Sequence, residues 1–136
     1  MTPPSERGAL PREQLFEYAA LRVMPRIERG EVMNVGVVVY CRALEFLGCR
    51  TRVDPERLLA LDPGLDLEGV RTALKGVAAL CGGGPHAGQA GDEPAGVRFR
   101  WLTAPRSTVV QPGPVHAGLT GDPDAELGRL LELLAG

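Results

Sequence analysis

Arg26-Ile-Glu-Arg-Gly-Glu-Val-Met-Asn-Val-Gly-Val-Val-Val-Tyr-Cys41 is the stretch that decides the fold. From Val35 to Tyr40 only Gly36 interrupts β-branched and aromatic side chains, the composition a strand needs when both of its faces are buried. A strand over 32–41 must then be covered on two sides, and the rest of the chain has to supply both covers. Gly36 weakens such a strand unless it marks a bulge or a close approach by another backbone. The preceding loop, 25–31, carries Arg26, Glu28, Arg29 and Glu31, with Asn34 just beyond it. These groups fall at one end of the sheet, where rigid scaffolds commonly hold their binding chemistry.

Working outward, Ala19, Leu21 and Val23 alternate with Tyr18, Ala20 and Arg22, and Pro25 disfavours a helical residue before it, so 15–24 is predicted as strand. Leu44–Val53 is a third strand, closing an antiparallel hairpin through Arg42 and Ala43. Asp54-Pro55 signals a helix start, because the aspartate accepts from free first-turn amides and the proline has no amide to strand. A short helix through Leu58, Leu59 and Leu61 ends at Pro63-Gly64, and a second helix is expected over 66–80 with Val70, Leu74, Val77 and Ala78 on one face. Both are expected on one side of the sheet.

The glycine-rich segment 82–96 is expected to be a flexible loop, and its triple glycine lacks the order of a phosphate cradle. Val97-Arg-Phe-Arg-Trp-Leu102 alternates and is expected to be a half-exposed strand. Pro105, Pro112 and Pro114 restrict residues 103–120 to extended pieces or sheet edges. After Asp122-Pro123, Leu127, Leu130, Leu131 and Leu134 form the stripe of a final amphipathic helix. The expectation is a single α+β domain over 14–136, with a mostly antiparallel four- or five-stranded sheet covered by two or three helices. Residues 1–13, with three prolines, are expected to be a flexible N-terminus.

A chain of 136 residues suits one core. The net charge of -2 argues against bulk attraction to nucleic acid or anionic lipid. With no apolar run long enough for a bilayer and no apolar signal core, a cytoplasmic location and no membrane association are expected. Cys41, Cys49 and Cys81 are odd in number and lack CxxC spacing, which fits reduced thiols better than a disulfide framework or zinc site. No metal and no cofactor are expected.

Tyr18-Ala-Ala-Leu-Arg-Val-Met-Pro25, Arg29-Gly-Glu-Val-Met-Asn-Val-Gly-Val-Val-Val-Tyr40, Phe99-Arg-Trp-Leu-Thr-Ala-Pro-Arg-Ser-Thr-Val-Val-Gln111 and Pro114-Val-His-Ala-Gly-Leu-Thr120 carry a resemblance to the bacterial DUF3037 family. The likeness spans roughly 15–135 and supplies no activity. It implies a bacterial accessory protein whose relatives are often encoded beside HipA-like kinases, and hence a HipA-like kinase as a possible partner.

The residues themselves offer three kinds of site. Arg22, Arg29 and Arg106, with Asn34, Ser107, Thr108 and His116 as orienting groups, suit a binding module for an anionic, phosphate-bearing ligand, because a guanidinium matches two oxygens at once. Pairing of the same arginines with Glu28 and Glu31 would make them structural. A small enzyme acting on a phosphorylated or nucleotide substrate would use His116 as base and Ser107, Thr108 or Cys41 as nucleophile, without any motif in support. An RNA-binding face would need Arg22, Arg50, Arg52, Arg98 and Arg100 on one side of the sheet with Tyr18 and Phe46.

Overall fold

A computed structural model describes residues 13–136, so nearly all of the expected flexible N-terminus lies outside the described residues. The strands are β1 (Gln14–Val23), β2 (Met33–Cys41), β3 (Phe46–Thr51), β4 (Val110–Pro112) and β5 (His116–Thr120). The α-helices are α1 (Pro55–Leu61), α2 (Leu67–Gly82), α3 (Ala95–Leu102) and α4 (Pro123–Ala135), with a 3-10 stretch at Pro85–Asp92. The architecture is a single α+β domain on an open antiparallel sheet of five strands, with four helices where two or three were expected.

β1 and β2 form the centre, β3 lies beyond β2, and β4 and β5 share the far side of β1. β4 pairs with Leu21–Val23 and β5 with Gln14–Tyr18, so two short pieces complete one edge. Between them the Gly113 amide donates to Ala20 O at 2.8 Å. Pro112 and Pro114 are tolerated there because an edge strand does not need every amide.

β2 is covered on both sides, as its composition demands. Ala19, Leu21, Val23, Val35 and Val38 pack under Leu58 of α1, Val70, Leu74 and Cys81 of α2, and Phe99 and Leu102 of α3. On the second face Phe16, Val37, Val39 and Cys41 meet Leu127, Leu130 and Leu131 of α4. The faces change parity at a bulge: Leu21 pairs with Gly36 but Arg22 with Asn34, leaving Val35 as the extra residue. Val35 therefore joins the same face as Val38.

A Cβ on Gly36 would lie 2.6 Å from Arg50 O and 3.2 Å from Thr51 Cα, so the glycine admits the β3 backbone. Gly36→Val is expected to lower stability by about 1–3 kcal/mol, since two backbones must separate. Urea denaturation checks this, and an unchanged midpoint would mean that β3 does not pack there.

Asp54, Asp66 and Asp122 cap α1, α2 and α4, accepting from Arg57 N at 3.2 Å, Gly69 N at 3.0 Å and Ala125 N at 3.1 Å. The β2–β3 connection turns through residues 42–45, where Glu45 takes φ 52.

The strand expected at 97–102 is instead helix α3. Six alternating residues are too few to exclude a helix, and Phe99 and Leu102, three apart, are the two that it buries. Arg98 then has a helical role: Nε donates to Glu93 O at 2.9 Å, and Nη1 donates to Leu80 O and Cys81 O at 2.7 and 2.9 Å. The guanidinium thereby satisfies carbonyls at the end of α2 that have no intrahelical partner.

Candidate functional site

Where the start of α2 faces the chain leading into β4, the surface sinks into a cleft of about 530 Å³. Its apolar wall comes from Leu65, Val70, Ala73, Val77 and Val110, and its polar groups are Asp62, Asp66, Arg106 and Thr108. A smaller cleft of about 430 Å³ adjoins it, lined by Arg26, Arg29, Glu31 and Leu61. The two meet at Pro25 and Asp62, which line both. Two chain segments far apart in sequence, the loop before β2 and the segment before β4, are thus brought to one end of the sheet.

Each charged group there already has an intramolecular partner. Arg29 grips Glu31 through two contacts, Nε to Oε1 at 2.8 Å and Nη2 to Oε2 at 3.2 Å. That hydrogen-bonded pairing raises the Arg29 pKa and lowers that of Glu31. The pair is open to solvent and is therefore worth little to the fold. Arg26 approaches Asp62 at 3.8 Å, while Asp62 Oδ1 accepts from the Gly64 amide at 3.0 Å. Arg106 donates from Nε to Ala104 O at 3.3 Å and from Nη2 to Trp101 O, closing the carbonyl end of α3. Thr108 Oγ1 donates to Val110 O at 2.8 Å. An incoming anion can replace Glu31 on Arg29 at small cost, whereas Arg106 is held by backbone.

The seven residues expected to form one site divide between two places. Arg29, Arg106 and Thr108 line the joined clefts, with Ser107 exposed between the latter two. Arg22, Asn34 and His116 belong to the second sheet face. Arg22 faces Gly113, and its buried Nε has no hydrogen-bond partner among the described residues. Asn34 Nδ2 donates to Leu134 O at 3.1 Å, tying the bulge to the end of α4. The His116 ring lies 5.3 Å from that of Tyr18, its partner on β1. Alternation along β1 already put Arg22 opposite Ala19, Leu21 and Val23; the parity change at Val35 moves Asn34 to that same side, and the run of β5 along β1 takes His116 there.

The arginine face proposed for RNA is not a single face. Arg98 and Arg100 sit on α3, which covers the first side of the sheet, and Arg100 pairs with Glu17 at 2.7 Å. Arg50 and Arg52 pair with Asp124 and Glu132 of α4, on the second side. The misplaced pair comes from reading 97–102 as strand. Of the candidate nucleophiles, Cys41 is fully buried with Sγ donating to Leu15 O at 3.5 Å, and the Thr108 hydroxyl is engaged by Val110. His116 is directed at Tyr18 rather than at either.

Sequence reasoning did not assign Asp62 and Asp66 to the site. Pro63-Gly64 was legible as the end of the first helix and Asp66 as the start of the second, but the cleft that Asp62 and Asp66 share with Arg106 depends on tertiary packing. Among the described residues no cluster of three or more His, Cys, Asp or Glu could hold a metal ion, and no helix is long and apolar enough to cross a membrane.

The family model described as "Protein of unknown function (DUF3037)" matches residues 18–135, which include all four segments that carry the resemblance. No curated protein matches the chain. No solved structure matches it either.

Proposed function

The chain belongs to the DUF3037 family, and from that premise we propose that it is a non-catalytic binding module that takes an anionic group, a phosphate or carboxylate on a partly apolar carrier, in the joined clefts. The observation that supports this reading is the convergence of Arg26, Arg29 and Arg106 on clefts that share Pro25 and Asp62, beside an apolar wall. Guanidinium groups recognise the oxyanion, and the wall accepts the carrier. Asp62 and Asp66 restrict the ligand to one whose negative charge reaches the arginine side. The setting we propose is a bacterial cytoplasm, with a HipA-like kinase as a candidate carrier of the recognised group.

Inorganic phosphate, phosphoserine and a phosphorylated apolar peptide are suitable probes, read by thermal shift and calorimetry. The peptide is expected to bind tightest, and Arg29→Ala to weaken it by about 1–3 kcal/mol, the range of a charge-assisted hydrogen bond. The same variant should leave the ligand-free melting temperature unchanged, because its pair with Glu31 is exposed. Equal affinity for variant and wild type would remove Arg29 from the site. Silence across the probes, with co-purification of a kinase partner, would transfer the role to a protein interface.

A further inference from the structure

At the end of the sheet opposite the joined clefts, a larger cleft of about 860 Å³ lies between α3 and the outer ends of β1 and β2. Alternation along β1 puts Leu15, Glu17, Ala19, Leu21 and Val23 on the first face, but only the last three are buried in its helix-covered core. Glu17 pairs across the strands with Tyr40, and its carboxylate turns to α3, where Arg100 Nη2 donates to Oε1 at 2.7 Å. Leu15 is left uncovered, 63% exposed, and so is Leu119, its partner on β5, at 61%.

Tyr40 forms the back of this cleft. Its ring stacks on Phe99, and a Cβ on Gly96 would lie 2.8 Å from its hydroxyl oxygen, so the phenol reaches the α3 backbone because residue 96 has no side chain. Val97, the next residue of α3, lines the same space and is partly exposed. Arg42 closes the cleft from the turn between β2 and β3. Among the described residues Arg42 makes no ion pair, and Arg100 engages Glu17 through Nη2 alone. Two guanidiniums from separate elements thus share the cleft with one carboxylate, which leaves an unbalanced positive charge beside aliphatic surface.

We propose that this cleft is a second binding site, separate from the joined clefts, for a mono-anionic aliphatic acid. Its carboxylate lies between Arg42 and Arg100, whose paired donors match two oxygens, and its hydrocarbon chain runs over Val97, Leu15 and Leu119. One negative charge balances the cleft, and Glu17 repels a second. The chain is aliphatic because the exposed apolar groups here are, and covering Leu15 and Leu119 removes that surface from water. An alkylammonium of the same length would find only Glu17 to receive it, and Arg100 already holds that carboxylate.

The test is to titrate the full chain with octanoate, 1-octanol and octylammonium, each below its aggregation limit, by calorimetry and two-dimensional amide NMR. Octanoate is expected to bind saturably, to shift amides of residues 14–17, 40–43 and 95–100, and to bind about tenfold tighter than either of the others, as a charge-assisted hydrogen bond provides. Arg42→Gln, in an exposed turn, should weaken octanoate by about the same factor with the ligand-free spectrum otherwise unchanged. Arg29→Ala should bind octanoate as the wild type does, which keeps this site and the joined clefts separately testable. Octanol or octylammonium binding as tightly as octanoate, equal octanoate affinity in Arg42→Gln, shifts centred on 26–31 and 62–70, or no saturable shift would each overturn the assignment.

Discussion

Phe99→Ala is expected to lower stability by about 3–5 kcal/mol, as for a large ring removed from a closed core. The Phe99 side chain is fully buried under α3 and stacks on Tyr40 with ring centroids 5.3 Å apart. Leu102→Ala should cost about 2–5 kcal/mol for the same reason. Trp101→Ala is the discriminating companion. A strand over 97–102 would point Val97, Phe99 and Trp101 to one side, so both aromatics would be equally costly to remove. In helix α3 Trp101 is 43% exposed while Phe99 is 0% exposed, so the tryptophan substitution should have much the smaller effect. Chemical denaturation of the three variants measures this, and comparable losses for Phe99 and Trp101 would reinstate the strand.

On the second face, Leu130→Ala is expected to cost about 2–5 kcal/mol, because among the described residues α4 is the helix that covers it. Leu130 is 1% exposed and packs with Leu127 and Leu131 over Phe16, Val37 and Val39. No other helix among the described residues contributes to this cluster, so a cavity there has no second cover to collapse inward. Leu133, on the opposite side of the same helix, is 69% exposed, and Leu133→Ala should fall within about 0.5 kcal/mol of wild type. Equal effects of the two substitutions would mean that α4 presents a different side to the sheet. The exposed pairs Arg50–Asp124 and Arg52–Glu132 orient the helix without holding it on, since surface ion pairs contribute little.

What could be read from the sequence was what local physics dictates. Val35–Tyr40 had to be buried on both sides, and Val35, Val37, Val38 and Val39 are divided between the two cores. The Asp-Pro pairs at 54–55 and 122–123 begin helices, each with the aspartate side chain on an amide. Gly36 was assigned either a bulge or a close backbone approach; the bulge falls beside it at Val35 and the Arg50 carbonyl is the close neighbour. In 97–102 the two arginines and Leu102 favour helix while Val97, Phe99 and Trp101 favour strand, so propensity does not decide, and the alternation misled because its length matches either element. The site was legible only as two polar segments. That Arg29 and Arg106 line adjoining clefts, while Asn34 and His116 lie on the other face, depends on a bulge and on strand pairing across the chain.

The most direct measurement of the proposed recognition site is a two-dimensional amide NMR titration of the folded chain with the phosphorylated apolar peptide. The expected result is saturable shifts confined to residues 26–31, 62–70 and 106–110, lost in Arg29→Ala. Shifts centred on Tyr18, Arg22 and His116, or none at saturating peptide, would contradict a site in the joined clefts.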